Sequence, residues 1–243
     1  MRVFKFGGAS VKDADGVKNL ASIVSQNDDN LVIVVSAMGK MTNALEELIR
    51  LYVKRDDHRW EQLSQIKNYH NQILDELFDS NDSIYADVDS VYFHIEDRMD
   101  RIPSMDYNFE YDQLIGYGEL LSTKIVSAYL NKIGIKNKWR DVRFYLKTDD
   151  KWRESNVNWE VSDQLIKKGF DFSDERIYLT QGFIGSTMTD LTTSLGREGS
   201  DYTAAILGNI LNAEKVEIWK DVPGILNADP NYFENPVKID EMS

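Results

Sequence analysis

A lysine and two glycines stand close to the start of the chain, between a short apolar stretch and a segment of helical periodicity. The run is Lys5-Phe6-Gly7-Gly8-Ala9-Ser10. Glycines at such a junction let the backbone approach a ligand, and the amides and dipole of a helix start favour a phosphate there. Lys5 would place a full positive charge beside that phosphate. An ordinary glycine turn next to a strand-end lysine is the alternative, and the local pattern does not choose between the two interpretations.

The densest group of polar residues runs from Thr192 to Ala205. Arg197 lies between glycines just before a predicted helix, where a guanidinium can bind a carboxylate through two hydrogen bonds and the first-turn amides can meet a second anion. Asp201, in the first turn, could order the phosphate-facing lysine or a metal. Capping of the helix is the more common role for an aspartate there, and the hydroxyl-rich residues before it suit a simple turn equally well.

Other candidate residues lie at the ends of predicted strands and at a break in a predicted helix. Ser36 closes an apolar strand and Trp219–Gly224 follows another, and open α/β sheets bind ligands at such ends. The second segment is also compatible with a plain Pro-Gly turn. Glu119 follows Gly116 and Gly118 and could receive an ammonium group. A glutamate inside a helix more often faces solvent, so each of these candidates is weak by itself.

Two better-known phosphate-binding motifs are absent. Gly39-Lys40-Met41-Thr42 lacks the upstream glycine and the Lys-Ser/Thr pair of a P-loop, and Gly116–Leu121 has a leucine where the dinucleotide fingerprint has its third glycine. The protein-kinase catalytic-loop motifs are also missing. A phosphate site in this chain must therefore be built differently.

The composition narrows the class of protein. Of 243 residues, 42% are hydrophobic, which is enough to fill a core, and a net charge of −13 argues against a nucleic-acid partner. No apolar window of about 18 residues could span a bilayer, so we predict a cytoplasmic protein without membrane association. The chain has no cysteine and its three histidines are scattered, so we predict neither a disulfide nor a histidine metal site.

The periodicity predicts alternating strands and helices, and hence an α/β fold with a mainly parallel sheet and helices on both faces. Leu31–Val35 is continuously apolar, typical of a strand covered on both faces. A helix at Ser200–Leu211 should be capped by Ser200 or Asp201, after a turn-rich run at 181–199. The segment 56–99 shows three helical patterns. The other predicted elements are strands at Val3–Phe6, Asn137–Arg143, Arg176–Thr180 and Val216–Trp219, and helices at Asp13–Gln26, Met41–Val53 and Asn108–Lys132, the last broken at Gly116–Gly118.

Taken together, these segments resemble the aspartate kinase branch of the amino-acid kinase family. Any single run would be weak, but the ordered set spans the chain almost from end to end and is highly specific. The matching runs are Lys5–Val11, Val35–Met38 with Thr42-Asn43, Gly118–Ser122, Thr148–Asp150, Gln181–Gly185, Leu195–Arg197 with Gly199–Ala205, and Ile218–Ile225 with Asp229-Pro230.

The resemblance implies an αβα sandwich over residues 1–243, with a helical excursion at about 56–107. It also implies transfer of the γ-phosphoryl group of MgATP to the side-chain carboxylate of L-aspartate. The product, 4-phospho-L-aspartate, opens the route to lysine, threonine and methionine. An acceptor carboxylate with a pKa of about 4 is already deprotonated at neutral pH, so the reaction needs no general base. Alignment and stabilisation of charge on the phosphoryl oxygens then account for catalysis.

The same resemblance implies roles for individual residues. Lys5 would steady the transferring phosphoryl group, and Asp201 would organise the reacting groups. The residues expected to hold aspartate are Ser36, Thr42, Glu119, Ser200 and, on a carboxylate, Arg197. The residues expected to contact ATP are Lys5, Gly7, Gly8, Lys220, Asp221 and Gly224.

The chain departs from the family pattern in several places. Glu198 stands where many relatives have glycine, and Lys220, Leu226 and Asn231 differ from residues common on the nucleotide side. Relatives continue beyond Ser243 into a segment with a second nucleotide-facing lysine and then into regulatory ACT domains. We therefore expect a catalytic domain that is incomplete at its C-terminal end and lacks amino-acid feedback inhibition. For the full-length protein we expect a homo-oligomer, a dimer.

Two alternatives stay open. One is another amino-acid kinase, with glutamate or N-acetylglutamate as acceptor, and the other is a non-catalytic module that binds a nucleotide or an amino acid. The aspartate kinase interpretation requires one cleft in which Lys5 and the glycine amides face Arg197. Side chains of Lys5 and Arg197 that open onto separate surfaces would contradict it.

Overall fold

The computed structural model describes residues 1–220, 224, 226–228 and 232–241. The predictions for Asp221 and Asn231 lie outside the described residues. The strands are β1 (Arg2–Phe6), β2 (Leu31–Val35), β3 (Lys138–Arg140), β4 (Ile177–Gln181), β5 (Ile184–Ser186), β6 (Thr192–Ser194) and β7 (Lys215–Trp219). The α-helices are α1 (Ala14–Ser25), α2 (Met41–Val53), α3 (His58–Leu77), α4 (Ile84–Asp100), α5 (Tyr107–Ile115), α6 (Tyr117–Lys132), α7 (Trp159–Gly169) and α8 (Gly199–Ile210). Two short 3-10 helices lie at Gly8–Val11 and Val142–Phe144.

Five parallel strands form the main sheet, in the order β3-β4-β2-β1-β7. All five residues of β2 are buried, as a strand between two neighbours and two helical layers should be. Alternate residues of β1 enter different cores: Phe4 packs with α1, α2 and α6, and Val3 packs with α7 and α8. The predicted α/β class, a mainly parallel sheet with helices on both faces, is confirmed. No helix in the described part of the chain is long and apolar enough to cross a membrane.

The helical excursion predicted at about 56–107 differs in detail from its prediction. The segment 56–99 contains two long helices, α3 and most of α4, where three patterns were predicted. The two helices are antiparallel. Near the segment that joins them the Tyr85 hydroxyl donates to Asp75 at 3.0 Å, and farther from it Lys67 forms an ion pair with Glu96 at 2.6 Å. A single stripe of buried residues continues through α3, so its charged positions mark the solvent face and do not interrupt the helix.

Several short elements were predicted wrongly or missed. The turn-rich run 181–199 contains the antiparallel pair β5 and β6, whose three residues each are too few to show periodicity. Helix α7 was not predicted at all. The strand predicted over 137–143 ends at Arg140, because the Asp141 side chain accepts from the Arg143 amide and starts a 3-10 helix.

The capping prediction for α8 is also wrong. Glu198, not Ser200 or Asp201, occupies the N-cap position, and its side chain makes no capping hydrogen bond within the described part of the chain. Glu198 adopts left-handed backbone angles, with a φ of 55°, a conformation that glycine reaches without steric cost. This geometry explains why a glycine would suit position 198, and it leaves the Asp201 carboxylate available for another contact.

Candidate functional site

A cleft of about 1020 Å³ opens at the carboxyl ends of the central strands. Its lining includes every residue predicted for the acceptor and the chemistry, namely Lys5, Ser36, Thr42, Glu119, Arg197, Ser200 and Asp201. Lys5 and Arg197 therefore share one cleft, as the sequence interpretation requires. The lining residues that the sequence did not single out as site residues are Glu46, Asn108, Tyr111, Asp150, Lys151, Trp152, Arg153, Glu154, Phe183, Ser194, Gly196, Glu198 and Gly199.

Lys5 is a buried cation at the base of this cleft. Strand β1 places it on the same face as Val3, towards α8, and its Nζ lies 2.6 Å from Asp201 Oδ1. The other oxygen of Asp201 lies 3.0 Å from Lys220 Nζ. Burial alone would raise the pKa of Asp201, but the adjacent Lys5 and Lys220 ammonium groups outweigh it and hold the pKa of this carboxyl below its usual range. One ionised carboxylate thus orients two ammonium groups.

The two glycines after β1 serve different purposes. A side chain on Gly8 would meet the Ala37 carbonyl oxygen at 2.6 Å, and the Gly39 amide donates to the Gly8 carbonyl at 2.9 Å. Gly8 therefore lets the turn after β1 contact the turn after β2. The Gly7 amide donates to the Trp219 carbonyl at 3.2 Å, so this amide is engaged within the protein. A Cβ on Gly7 would lie 3.7 Å from Lys5 Nζ, and its absence leaves space over that ammonium group.

Ser36 and Thr42 reach the cleft from either end of the turn between β2 and α2. The Ser36 amide donates to the Phe6 carbonyl at 3.2 Å, which joins the ends of β2 and β1. Thr42 lies in the first turn of α2, and Glu46 follows it one turn later on the same side of the helix. The Glu46 carboxylate accepts from the Tyr111 hydroxyl at 2.9 Å. The start of α2 therefore forms one wall of the cleft.

Glu119 is buried, contrary to the usual solvent-facing position of a glutamate inside a helix. It is 3% exposed, and one oxygen accepts from the Ala37 amide at 3.2 Å. The other oxygen, Oε2, has no hydrogen-bond partner among the described residues. Burial raises the pKa of Glu119 to about 8, against the opposing effects of the Ala37 amide and Lys5. Such a carboxyl is a strong potential partner for a cationic ligand in the cleft.

The raised pKa predicts how Glu119 affects stability in the ligand-free protein. Because its folded pKa of about 8 exceeds the ordinary 4.5, its contribution is complete below pH 4.5, declines as the pH rises, and is lost by about pH 8. We expect Glu119→Gln to gain roughly 2–4 kcal/mol of unfolding free energy relative to wild type between pH 5 and pH 8. Urea denaturation of wild type and Glu119→Gln at these two pH values measures this change in the difference between their free energies of unfolding. A difference that does not change with pH would contradict the prediction.

Arg197 and Ser200 come from the turn and helix that follow β6. Ser200 is buried in the first turn of α8, whereas Arg197 is exposed and makes no ion pair within the described ranges. The Lys220 ammonium has a raised pKa because Asp201 accepts its hydrogen bond. Gly224 lies against the Lys238 side chain. Of the residues predicted to contact ATP, Lys5 lines the cleft, whereas Gly7, Gly8, Lys220 and Gly224 do not. Asp221 lies outside the described residues, so its predicted nucleotide contact stays a prediction.

The loop 150–154 is the main part of the cleft that sequence reasoning missed. Asp149 shapes the start of this loop, since its carboxylate accepts from the Asn156 amide at 2.9 Å and the Lys151 amide at 3.2 Å. The Arg153 guanidinium lies 4.3 Å from the centre of the Tyr111 ring. The only sequence signal was the matching run Thr148–Asp150, which names residues at the edge of the loop but not its place on the cleft.

The arrangement can hold a ligand of mixed charge. Lys5 in the cleft and Lys220, which reaches the cleft through its ion pair with Asp201, offer cations for phosphate oxygens, and Arg197 offers a guanidinium for a carboxylate. Glu119 offers a buried acceptor for an ammonium group. These four residues, together with the hydroxyl groups of Ser36, Thr42 and Ser200, suit a phosphorylated nucleotide next to an amino acid.

A model of the amino acid kinase family matches residues 1–243, and the chain belongs to this family. Within it, the chain is an aspartokinase-like domain by its relatives. It is 34% identical to the lysine-sensitive aspartokinase 3 of Escherichia coli (strain K12), over 99% of this chain and 53% of that protein. It is 31% identical to the chloroplastic bifunctional aspartokinase/homoserine dehydrogenase 2 of Arabidopsis thaliana, over 99% of this chain and 27% of that protein.

Solved structures agree with this placement. E. coli aspartokinase III in complex with aspartate and ADP (R-state) superposes with a TM-score of 0.90 at 33% identity, covering 99% of this chain and 53% of that one. The same enzyme in complex with lysine and aspartate (T-state) gives a TM-score of 0.87 at 33% identity, covering 100% of this chain and 54% of that one. The chain spans between about a quarter and a half of the length of these relatives.

Proposed function

We propose that this chain transfers the γ-phosphoryl group of ATP to the side-chain carboxylate of L-aspartate, giving 4-phospho-L-aspartate. The observation that carries the proposal is that Lys5, Arg197 and the partly unpaired Glu119 line one cleft. The E. coli relative that superposes on the chain was solved with aspartate and ADP, which supports the same pair of ligands here. The product would begin the route to lysine, threonine and methionine.

The charged groups of the cleft indicate how the acceptor would bind. The substrate ammonium group would pair with Glu119, whose free oxygen is buried, and Arg197 would bind a carboxylate through two hydrogen bonds. The hydroxyl groups of Ser36, Thr42 and Ser200 would supply further contacts. An acceptor without an ammonium group would leave Glu119 without a cation, which selects for a free amino acid.

The transfer itself needs little covalent help from the protein. An oxygen of the acceptor carboxylate attacks the γ-phosphorus, the bond from that phosphorus to the β–γ bridging oxygen breaks, and ADP leaves with the electron pair. Lys5 would stabilise the charge that spreads over the γ-phosphoryl oxygens, and Asp201 holds Lys5 in place at 2.6 Å. Gly7 would leave room for the phosphates, Gly8 would fix the neighbouring turn, and Lys220 would add charge on the nucleotide side.

The nucleotide would bring Mg²⁺, an ion that takes most of its ligands from phosphates and water and one or two from carboxylates. Asp201 is ionised beside the two lysines that would meet the phosphates, but both of its oxygens pair with those lysines, so the ion would take its ligands from the phosphates and water. The ion would neutralise phosphate charge. The chain's own contribution is to hold Lys5, Asp201 and Lys220 in fixed positions relative to the acceptor.

A panel of acceptors tests the proposal. With hydroxylamine present, an acyl phosphate is trapped as a coloured hydroxamate, and we expect this product with L-aspartate and MgATP. Glutamate, longer by one methylene, should react about 10- to 200-fold less efficiently, and N-acetylglutamate, which has no ammonium group, should not react. A preference for glutamate would identify a different amino-acid kinase. Binding of ADP and aspartate by calorimetry without any hydroxamate would identify a non-catalytic module.

Arg197→Lys should raise the KM for aspartate about 10-fold or more. Lysine keeps the positive charge but loses the planar fork that binds a carboxylate through two hydrogen bonds. The KM for ATP should stay within about 2-fold, because Lys5 and Lys220 lie on the nucleotide side. Steady-state kinetics with each substrate varied in turn make the measurement. If only the ATP KM changed, the division of the cleft into acceptor and nucleotide sides would be wrong.

A further inference from the structure

Asp112, in α5, is a fully buried carboxylate. Its oxygens accept three hydrogen bonds from two distant segments of the chain. Oδ2 accepts from the amides of Arg153 at 2.9 Å and Ser194 at 3.1 Å, and Oδ1 accepts from the Ser194 hydroxyl at 2.6 Å. Burial raises the pKa of this carboxyl to about 6, although these hydrogen bonds lower it. A buried group with this many partners orders the segments that donate to it.

Both segments are walls of the cleft. Arg153 belongs to the loop 150–154, and Ser194 ends β6 directly before the arginine turn, which we define as residues 195–199. The Ser155 amide also donates to the Ser194 carbonyl at 3.0 Å, so the two segments are joined on either side of Asp112. Asp112 itself does not line the cleft. It therefore acts on the site only through the segments that it holds.

The loop 150–154 rests directly on the arginine turn. Gly196 has a φ of +79°, and a Cβ there would lie 3.2 Å from the Arg153 carbonyl oxygen and 3.3 Å from the Glu154 side chain. Arg153 has a φ of 72°, an unfavourable backbone conformation for a residue with a side chain, which persists only where the surroundings impose it. A shift of the Arg153 backbone would therefore push on the residue next to Arg197.

We propose that Asp112 is a positioning residue for acceptor binding, which sets the place of the Arg197 guanidinium by holding the loop 150–154 against the arginine turn. The proposal rests on the function proposed above, in which Arg197 binds a carboxylate of the acceptor. The hydrogen bonds of Asp112 go to segments on the acceptor side of the cleft, and none of them involves Lys5, Asp201 or Lys220. The expected consequence is a selective loss of acceptor affinity, since small displacements of binding groups are costly.

Asp112→Ala should raise the KM for aspartate about 10-fold, with kcat and the KM for ATP within about 3-fold of wild type. Asp112→Asn should restore the aspartate KM to within about 3-fold, because its amide oxygen can accept from both backbone amides while its NH₂ group donates to the Ser194 hydroxyl. Asp141→Ala is the matched control. Asp141 is also a buried aspartate, but it pairs with Arg143 away from the cleft, so its loss should leave the aspartate KM unchanged.

Hydrogen exchange of the amides of Arg153 and Ser194 gives a second readout that does not depend on turnover. Exchange should rise in Asp112→Ala and stay near wild type in Asp112→Asn and Asp141→Ala. Equal increases in the KM of both substrates, or unchanged exchange in Asp112→Ala, would overturn the proposal.

If Asp112→Ala does not fold, Ser194→Ala, which removes only the hydroxyl partner, should raise the aspartate KM and must do so for the proposal to stand. If wild type does not phosphorylate aspartate, the proposed function fails, and the exchange data still decide whether Asp112 holds the two segments.

Discussion

Replacing Lys5 with alanine should lower kcat for aspartate phosphorylation by about 10²-fold or more. The ammonium group would act on charge that develops only as the γ-phosphoryl group is transferred, so its loss affects the transition state more than the bound substrates. The KM for aspartate should therefore stay within about 3-fold. The fold should persist, because Asp201 keeps its ion pair with Lys220 at 3.0 Å. Steady-state kinetics and a thermal unfolding curve of the variant measure both effects.

A matched control separates this effect from the general loss of a buried lysine. Lys147 is also buried and pairs with Asp190 at 2.8 Å, but it does not line the cleft. Lys147→Ala should lower the free energy of unfolding and leave kcat within about 2-fold of wild type. If Lys5→Ala kept the kcat of wild type, Lys5 would have no part in catalysis, and the glycine turn would be a structural feature only.

Binding of aspartate should release close to one proton at pH 6.5, and its affinity should rise with pH. Glu119 has a pKa of about 8 in the empty cleft, so it is mostly protonated below that value. Pairing with the substrate ammonium group favours the ionised form and lowers this pKa, which expels the proton. Affinity should increase by up to about 10-fold per pH unit between pH 6 and 8 and level off above about 8. Calorimetry in buffers of different ionisation enthalpy counts the protons.

Glu119→Gln should remove both effects. The neutral amide cannot pair with an ammonium group in a buried site, and we expect a loss of aspartate affinity of about 10²-fold with no linked proton release. Glu110→Gln is the control, because Glu110 is a buried glutamate that pairs with Arg98 at 2.7 Å and does not line the cleft. It should keep the proton release of wild type. An affinity for aspartate that is flat between pH 6 and 8 would show that Glu119 does not receive the ammonium group.

Elements with strong local signals were predictable from the sequence. The bounds of β2 and α2 agree with their predictions to the residue, since a continuous β-branched run and a clear amphipathic repeat need no distant partner to be recognised. The predicted break at Gly116, between α5 and α6, is also confirmed, since glycine within a helical pattern is itself a local signal. The pair β5 and β6, which has three residues in each strand, exists because its two strands meet each other, and such a pairing leaves little trace in the residue pattern.

The start of α8 shows a second limit of prediction from local sequence. Ser200 and Asp201 are good capping residues by type, and the sequence favours that role. In the structure Asp201 instead pairs with Lys5, a residue almost the whole chain away, and the helix begins from a left-handed Glu198. Intrinsic capping preference amounts to only about 1 kcal/mol. In the fold, Lys5, which is buried, and Lys220, which is partly exposed, compete with the helix amides for the Asp201 carboxylate.

By itself, the sequence determined the family, the α/β architecture and the residue types that could meet a phosphate and an amino acid, because these depend on short runs in a fixed order. Only the tertiary structure decided that Lys5 and Arg197 open onto one cleft, that Glu119 is buried against Ala37, and that the loop 150–154 and Asp112 belong to the same site. Burial and the resulting pKa depend on what packs against a residue from elsewhere in the chain. The Ala37 amide reaches Glu119 from 82 residues away, and no local pattern records such a contact.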